Sequence, residues 1–244
     1  MSCTVLKRNA GRASLVLLLA ALWPGCALPG QRPADNVGET FALCGPNGSI
    51  DDCEDGDGRI KEIGERGGYW YTFCDRVGTT IVPDPSPGSP FVMTASGANG
   101  SKFAARMQGQ VASQGSPLYG GMALNLTDPK GPYDASKYKG VAFWAKKGPE
   151  GSDAVRFKVP DGSTDEAGGV CSDCSNDFGV DLTLSESWQQ FAIPWRKLKQ
   201  QPNWGSPRPH AIKPAKIYSL QWQVSRPGAS FDVWVDDVEF IGCD

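Results

Sequence analysis

The sequence has little of what many catalytic, nucleic-acid-binding and membrane-spanning proteins require. It contains a single histidine, His210, which excludes any site that needs two imidazoles. The formal net charge is −3 and the basic residues are scattered, so we expect no nucleic-acid partner. Beyond residue 23, no apolar stretch is long enough to cross a bilayer. Helical periodicity is also scarce, and 30 glycines and 19 prolines favour many short strands.

Residues 1–26 have the three-part pattern of a secretory signal peptide: basic residues, an apolar run over 15–23, and small residues after it. Gly25 followed by Cys26 is typical of a bacterial lipoprotein cleavage site, so we predict that Cys26 is lipidated. The alternative is ordinary cleavage shortly after Cys26, which releases the protein. We therefore expect an exported protein, either a cell-surface or outer-membrane lipoprotein or a secreted one, which contacts membrane only through the lipid.

The remaining chain divides into a linker and one folded domain. Residues 27–43 are polar and contain proline and glycine, which is typical of a flexible linker. Residues 44–244 contain short runs in which apolar and polar residues alternate. The apolar positions include Phe103, Ala105, Met107, Met122, Leu124, Leu126, Val141, Phe143, Ala145, Val155, Phe157, Val159, Phe191, Ile193, Leu220, Trp222, Val224, Phe231, Val233 and Val235. This pattern predicts an all-β fold, a two-sheet antiparallel β-sandwich, which we expect to be a monomer.

Six cysteines lie beyond the signal region, an even number in an exported chain, and this predicts three disulfides. They are Cys44, Cys53, Cys74, Cys171, Cys174 and Cys243. Six cysteines permit 15 pairings, and the sequence does not choose among them. The Cys171-Ser-Asp-Cys174 spacing occurs in redox motifs, but here it follows two glycines rather than opening a helix. We therefore predict a local disulfide between these two.

Acidic residues gather near both ends of the predicted domain, at positions 51–57 and 236–239. Oxygen ligands from two neighbouring strands are what calcium requires. The alternative is that both groups are solvated strand ends.

Tyrosine and tryptophan are spread through the domain, and several lie on the polar side of their strands. Flat rings among amides and carboxylates suit sugars, because the rings cover the C–H faces and the polar groups bond the hydroxyls. The alternative is that these rings fill the core or the space between strands. The residues are Tyr69, Trp70, Tyr71, Tyr119, Tyr138, Trp144, Trp195, Trp204, Tyr218 and Trp234.

Several motifs together resemble the family 11 carbohydrate-binding modules and related galactose-binding-like jelly-roll domains, over roughly residues 49–242. The motifs are IDDCEDG at 50–56, GYWY at 68–71, YDASKYKGVAF at 133–143, SWQQFAIPW at 187–195 and WVDDVEF at 234–240. The resemblance implies a jelly roll whose first and last strands are neighbours. It also implies a structural calcium ion held by Asp52, Glu54 and Asp237, and disulfides that pair Cys44 with Cys243 and Cys53 with Cys74.

The resemblance further implies a sugar groove on the concave sheet. Gln201, Asn203 and Trp204 stand where the family carries arginine, aspartate and tyrosine, and these replacements keep hydrogen bonding and stacking possible. Other positions that align with the groove are Tyr71, Tyr119 and Asp161.

From these features we predict a non-catalytic module that binds a β-glucan-like polysaccharide. Two alternatives are a jelly-roll polysaccharide lyase or glycoside hydrolase, in which Asp161 would be essential, and a structural or adhesive surface lipoprotein whose partner is a protein.

Overall fold

A computed structural model describes residues 41–243. The predicted signal peptide, the lipidation at Cys26 and most of the predicted linker lie outside these residues. The twelve strands are β1 (Ser49–Asp51), β2 (Trp70–Cys74), β3 (Thr80–Val82), β4 (Thr94–Ala95), β5 (Phe103–Gln110), β6 (Gly120–Asn125), β7 (Gly140–Lys147), β8 (Ala154–Val159), β9 (Phe178–Thr183), β10 (Gln189–Pro194), β11 (Ser219–Val224) and β12 (Ser230–Ile241). The helical turns are α1 (Gly45–Gly48) and three 3-10 turns at Glu166–Gly168, Trp195–Lys197 and Pro214–Lys216.

The strands form two antiparallel sheets, which confirms the predicted β-sandwich. The first sheet has seven strands, in the order β10-β7-β12-β5-β3, with β1 paired to β12 and β4 to β5. The second has five strands, in the order β2-β6-β11-β8-β9. No helix in the described part of the chain is long and apolar enough to cross a membrane.

The core lies between the two sheets and is rich in aromatic rings. Trp222 of β11 is fully buried and stacks on Trp70 of β2, with ring centroids 5.5 Å apart. Phe143 of β7 meets Trp222 edge-on at 5.1 Å and Phe157 of β8 at 5.0 Å. Rings this large bury much apolar surface from both sheets. The opposite face of each strand is therefore the one left for solvent and ligands.

Two of the predicted disulfides are present. Cys44 and Cys243 are bonded, with Cα atoms 5.6 Å apart, and Cys171 is bonded to Cys174. Pairing begins just before the first bond, because Leu43 bridges Ile241. The end of the predicted linker therefore belongs to the fold.

The predicted bond between Cys53 and Cys74 is wrong, since both cysteines are free. Cys53 is close to Asp51, whose carboxylate accepts a hydrogen bond from Trp70 at the start of β2. Cys74 is at the other end of β2, about 13 Å from Trp70 at the usual rise per residue. A disulfide requires Cα atoms within about 7 Å.

Candidate functional site

A groove of about 650 Å³ lies on the solvent-facing side of the five-stranded sheet. The strand register builds it from two rows of side chains that cross the sheet. One row runs from Tyr71 through Ala123 and Gln221 to Lys158. Because neighbouring rows on one face are two residues apart, the next row starts at Phe73.

That second row runs from Phe73 through Gly121, Gln223 and Arg156 to Asp181. The two rows give each strand its own chemistry: rings on β2, small residues on β6, amides on β11 and cations on β8. The groove therefore has an aromatic wall on β2, an open floor on β6 and a polar wall on β11 and β8.

Four rings lie in series at this edge of the sheet, and three of them, Tyr71, Phe73 and Tyr119, form the aromatic wall of the groove. Tyr69 and Tyr71 lie 6.1 Å apart, Tyr71 and Phe73 lie 6.2 Å apart, and Phe73 and Tyr119 lie 6.1 Å apart, all centroid to centroid and tilted. Burial raises the pKa of Tyr71 above its ordinary value, against a smaller opposing effect of its hydrogen bond with Ser219. The hydroxyl therefore stays protonated at neutral pH and remains able to donate.

The floor of the groove is open because Gly121 and Ala123 have almost no side chain above the sheet. The ring of Phe73 occupies the space above Gly121, so that a methyl group at this glycine would overlap it. The small residues of β6 thus leave room for the rings of β2 to lie over the sheet.

The cations of the polar wall are matched by carboxylates. Arg156 Nη1 lies 2.9 Å from Asp181 Oδ1, and Lys158 Nζ lies 2.8 Å from Asp177 Oδ2. Lys158 also donates to Gln223 Oε1 over 3.2 Å. The pair of Lys158 and Asp177 is buried, and Asp177 Oδ1 has no hydrogen-bond partner among the described residues. The buried Lys158 requires its partner, so it is not available as a free anion-binding site. Arg156 is paired with a carboxylate that is largely exposed to solvent.

Trp204 lies in a loop next to β9 and is one of the exposed large apolar side chains, with 39% of its surface accessible. Its Nε1 donates to Gln201 Oε1 over 3.2 Å. Because Lys199 pairs with Gly179 of β9, this loop borders the sheet on the side opposite β2. The groove therefore has aromatic rings at both edges.

A second hollow of about 590 Å³ adjoins the groove on the far side of Tyr71. Its walls are Tyr69, Tyr71, Asn125 and the proline-rich segment 83–90. Tyr71 and Lys130 line both spaces.

The structure brings four of the predicted sugar-binding residues into the groove: Tyr71, Tyr119, Gln201 and Trp204. Asn203 is exposed in a left-handed backbone conformation, φ 68°, and does not line the groove.

The prediction for Asp161 is wrong. Its side chain is fully buried and accepts hydrogen bonds from the backbone N–H and hydroxyl of Ser163 and from the backbone N–H of Lys213. These hydrogen bonds hold the carboxylate within a buried turn. It can neither contact a sugar nor act on one.

Sequence reasoning missed most of the polar wall. The omitted residues are Arg156, Lys158, Asp177, Gln221 and Gln223. The period-2 runs of β8 and β11 contained the signal, because the polar residues between their apolar positions must face away from the core.

The predicted calcium ligands are near one another but do not form a cage. Burial raises the pKa of Asp237, and the nearby charge of Asp52 raises it further. Lys61 Nζ lies 2.5 Å from Asp52 Oδ2, and Glu54 Oε1 accepts hydrogen bonds from the segment 101–103. Across the part of the chain that the structure describes, no three acidic, cysteine or histidine side chains converge enough to hold a metal ion. As they stand, these side chains do not fit calcium, and its presence stays a prediction.

The sequence and the fold are similar to those of known carbohydrate-binding modules. The family model described as Carbohydrate binding domain 30 matches residues 90–242. No curated protein matches the sequence.

Several solved structures share the fold. A family 11 carbohydrate-binding module of a cellulosomal cellulase of Clostridium thermocellum is 14% identical, with 84% of this chain and 96% of that chain covered and a TM-score of 0.53. A family 11 module from the same organism, in complex with a β-1,3-1,4-mixed-linked tetrasaccharide, is 15% identical, with 77% and 96% covered and a TM-score of 0.51. A family 30 carbohydrate-binding module is 16% identical, with 71% and 92% covered and a TM-score of 0.50. At sequence identities this low, the structural similarity shows that the fold is shared and nothing more.

Proposed function

The chain belongs to the Carbohydrate binding domain 30 family, and on that premise we propose that its groove binds a β-glucan-like polysaccharide without chemical change. The observation that carries this proposal is the pairing of aromatic rings at both edges of the groove with amides between them. Rings of this kind stack on the apolar faces of pyranose units, and Gln221 and Gln223 can both donate to and accept from hydroxyls. The tetrasaccharide bound by a family 11 module of the same fold supports a β-linked glucan as the ligand class.

The charges of the groove favour a neutral glycan over an acidic one. Arg156, Lys158 and Lys130 are each paired with an aspartate, the last at 2.6 Å from Asp165. A polyuronate would have to compete with these carboxylates.

The same geometry supports a binding role over a catalytic one. General acid–base chemistry on a sugar requires carboxyl groups that reach the glycosidic bond from the groove. Asp161, the residue on which the enzymatic alternative depended, is buried and saturated with donors. Of the carboxylates that line the groove, Asp165 and Asp177 are paired with Lys130 and Lys158, which leaves Glu166 without the second free carboxyl group that glycoside hydrolysis requires. We therefore propose that any degradation of the glycan is performed by other proteins.

Affinity electrophoresis against β-glucans, xylans, mannans and pectins tests the proposal. We expect retardation by a β-glucan and none by pectin. Trp204→Ala should weaken binding by about tenfold, the usual scale for an exposed aromatic anchor. Trp188→Ala, which removes a ring beside Lys146 of β7 in the other sheet, is the matched control and should bind like the wild type. Retardation by none of the four polysaccharides would overturn the proposal.

We also propose that the protein acts outside the cytoplasm. The two disulfides support this, because such bonds persist mainly in oxidising compartments. Mass spectrometry of the mature N-terminus from the native host tests it: a diacylglyceryl group on Cys26 would support surface anchoring, and an unmodified cleaved terminus would support secretion. An uncleaved N-terminus would contradict export.

A further inference from the structure

Two loops at one edge of the groove are joined by a short ladder of hydrogen bonds. The first, here called the disulfide loop, is residues 171–177 and is closed by the bond between Cys171 and Cys174. The second, here called the Trp204 loop, is residues 200–206. The backbone N–H groups of Ser172 and Ser206 donate across the ladder over 2.9 and 3.0 Å, and Asp173 Oδ2 accepts from the backbone N–H of Gly205 over 2.8 Å. The disulfide loop therefore supports the Trp204 loop along its length.

Asn176 is the central residue of this junction. The residue is 2% exposed, and its side chain makes three hydrogen bonds, all to the backbone of the Trp204 loop. Nδ2 donates to the carbonyl groups of Gln201 and Trp204 over 2.9 and 2.6 Å, and Oδ1 accepts from the N–H of Gln201 over 2.8 Å. A side chain at Gly205 would overlap Asn176, so the two residues fit only as they are.

Trp204 lies between two residues that bend the chain. The residues on either side of Trp204 both have a left-handed backbone, with φ 68° at Asn203 and 86° at Gly205. Glycine adopts such a backbone readily, and asparagine does so more often than most other residues. Trp204 itself is bonded through Nε1 to the side chain of Gln201, whose backbone N–H and carbonyl are both held by Asn176.

We infer that Asn176, supported by the disulfide loop, is a positioning residue that fixes the ring of Trp204 at the edge of the groove before the glycan arrives. Fixing the ring in advance removes an ordering cost from binding and so strengthens affinity. This consequence for affinity rests on the proposed function, whereas the ordering of the loop does not depend on it.

A double-mutant cycle tests whether Asn176 acts through Trp204. We expect Asn176→Ala and Trp204→Ala each to weaken binding of a β-glucan oligosaccharide by about tenfold, measured by calorimetry well below the unfolding temperature. The double variant should bind no more weakly than Trp204→Ala, because residues in one network are not additive. Asn176→Asp has the same shape but lacks both donors, and it should behave like Asn176→Ala. Additive losses, or wild-type affinity in either Asn176 variant, would overturn the inference.

A second measurement requires no glycan. The indole N–H signal of Trp204 is assigned in NMR spectra by its absence in Trp204→Ala, and its exchange with solvent is compared among variants. We expect faster exchange in Asn176→Ala and in Cys171→Ser/Cys174→Ser. Unchanged exchange in both would contradict the positioning role. A wild-type protein that binds no glycan but shows this faster exchange in its variants would overturn the proposed function alone.

Discussion

Burial of two carboxyl groups, those of Asp51 and Asp236, predicts a stability that depends on pH. Burial raises the pKa of Asp51 from 3.8 to about 7 and that of Asp236 to about 6, although each accepts hydrogen bonds. In the unfolded chain these groups lose their protons near pH 4. Between pH 4 and pH 7 the folded state consequently binds more protons than the unfolded state, so these residues make stability fall as the pH rises.

Asp51→Asn should reduce that fall, because an amide does not titrate. We expect the free energy of unfolding to decline less between pH 4.5 and 7.5 in the variant than in the wild type, as measured by urea unfolding at a series of pH values. Any loss of stability from the amide itself, through a lost acceptor for Trp70 Nε1, is independent of pH and does not affect this comparison. An identical decline in both proteins would contradict the raised pKa.

At the residue scale, the sequence predicted rings better than charges. Tyr71, Tyr119 and Trp204 line the groove as predicted, Tyr71 from the polar side of β2 and the other two from loops at its edges. The prediction for Asp161 was wrong because a carboxylate can accept hydrogen bonds within a buried turn as readily as from a ligand. The three donors to Asp161 are visible only in the structure. Asn176 could not be identified either, because its role depends on a loop 25 residues away.

At the scale of elements, β6 provides the floor of the groove through its lack of side chains. Gly121→Ala should displace the ring of Phe73, since a methyl group there would overlap it. We expect glycan affinity to fall by about tenfold with little change in thermal stability, because the strand conformation suits alanine and removes a glycine's unfolded-state entropy. Calorimetry and a thermal melt measure the two effects.

Gly131→Ala is a suitable control for that variant, because this glycine lies in a loop with no atom closer than 3.4 Å to the added methyl group. It should bind as the wild type does. If Gly121→Ala also retained full affinity, Phe73 would not belong to the sugar-binding wall.

The long strands were predictable, since β5, β7, β8, β11 and β12 each contain a period-2 run of three apolar positions, and the run of β6 ends one residue past the strand at Leu126. The very short strands were not. β1, β3 and β4 have three residues or fewer, too few to show a period, and they pair only because longer strands offer free edges. The disulfide predicted between Cys53 and Cys74 was wrong for a similar reason. Whether two cysteines pair depends on their positions in space, and the sequence near Cys53 does not show where that segment lies.

At the scale of the whole molecule, the last strand completes the fold. β12 lies between β7 and β5 in the seven-stranded sheet and also pairs with β1. The sheet can therefore form fully only after the C-terminal segment has arrived, and contacts so distant in sequence carry a large loop-closure cost. The bond between Cys44 and Cys243 spans 199 residues and holds these two ends together.

This bond should therefore stabilise the protein far more than the other one. On the chain-entropy model a loop of that length contributes roughly 5 kcal/mol, whereas the three-residue separation of Cys171 and Cys174 contributes about 2 kcal/mol. We expect Cys44→Ser/Cys243→Ser to lower the free energy of unfolding by more than Cys171→Ser/Cys174→Ser, as measured by urea unfolding. The effects on glycan binding should be in the opposite order, because only the second bond supports Trp204. Equal losses of stability would show that the terminal bond does not restrict the unfolded chain.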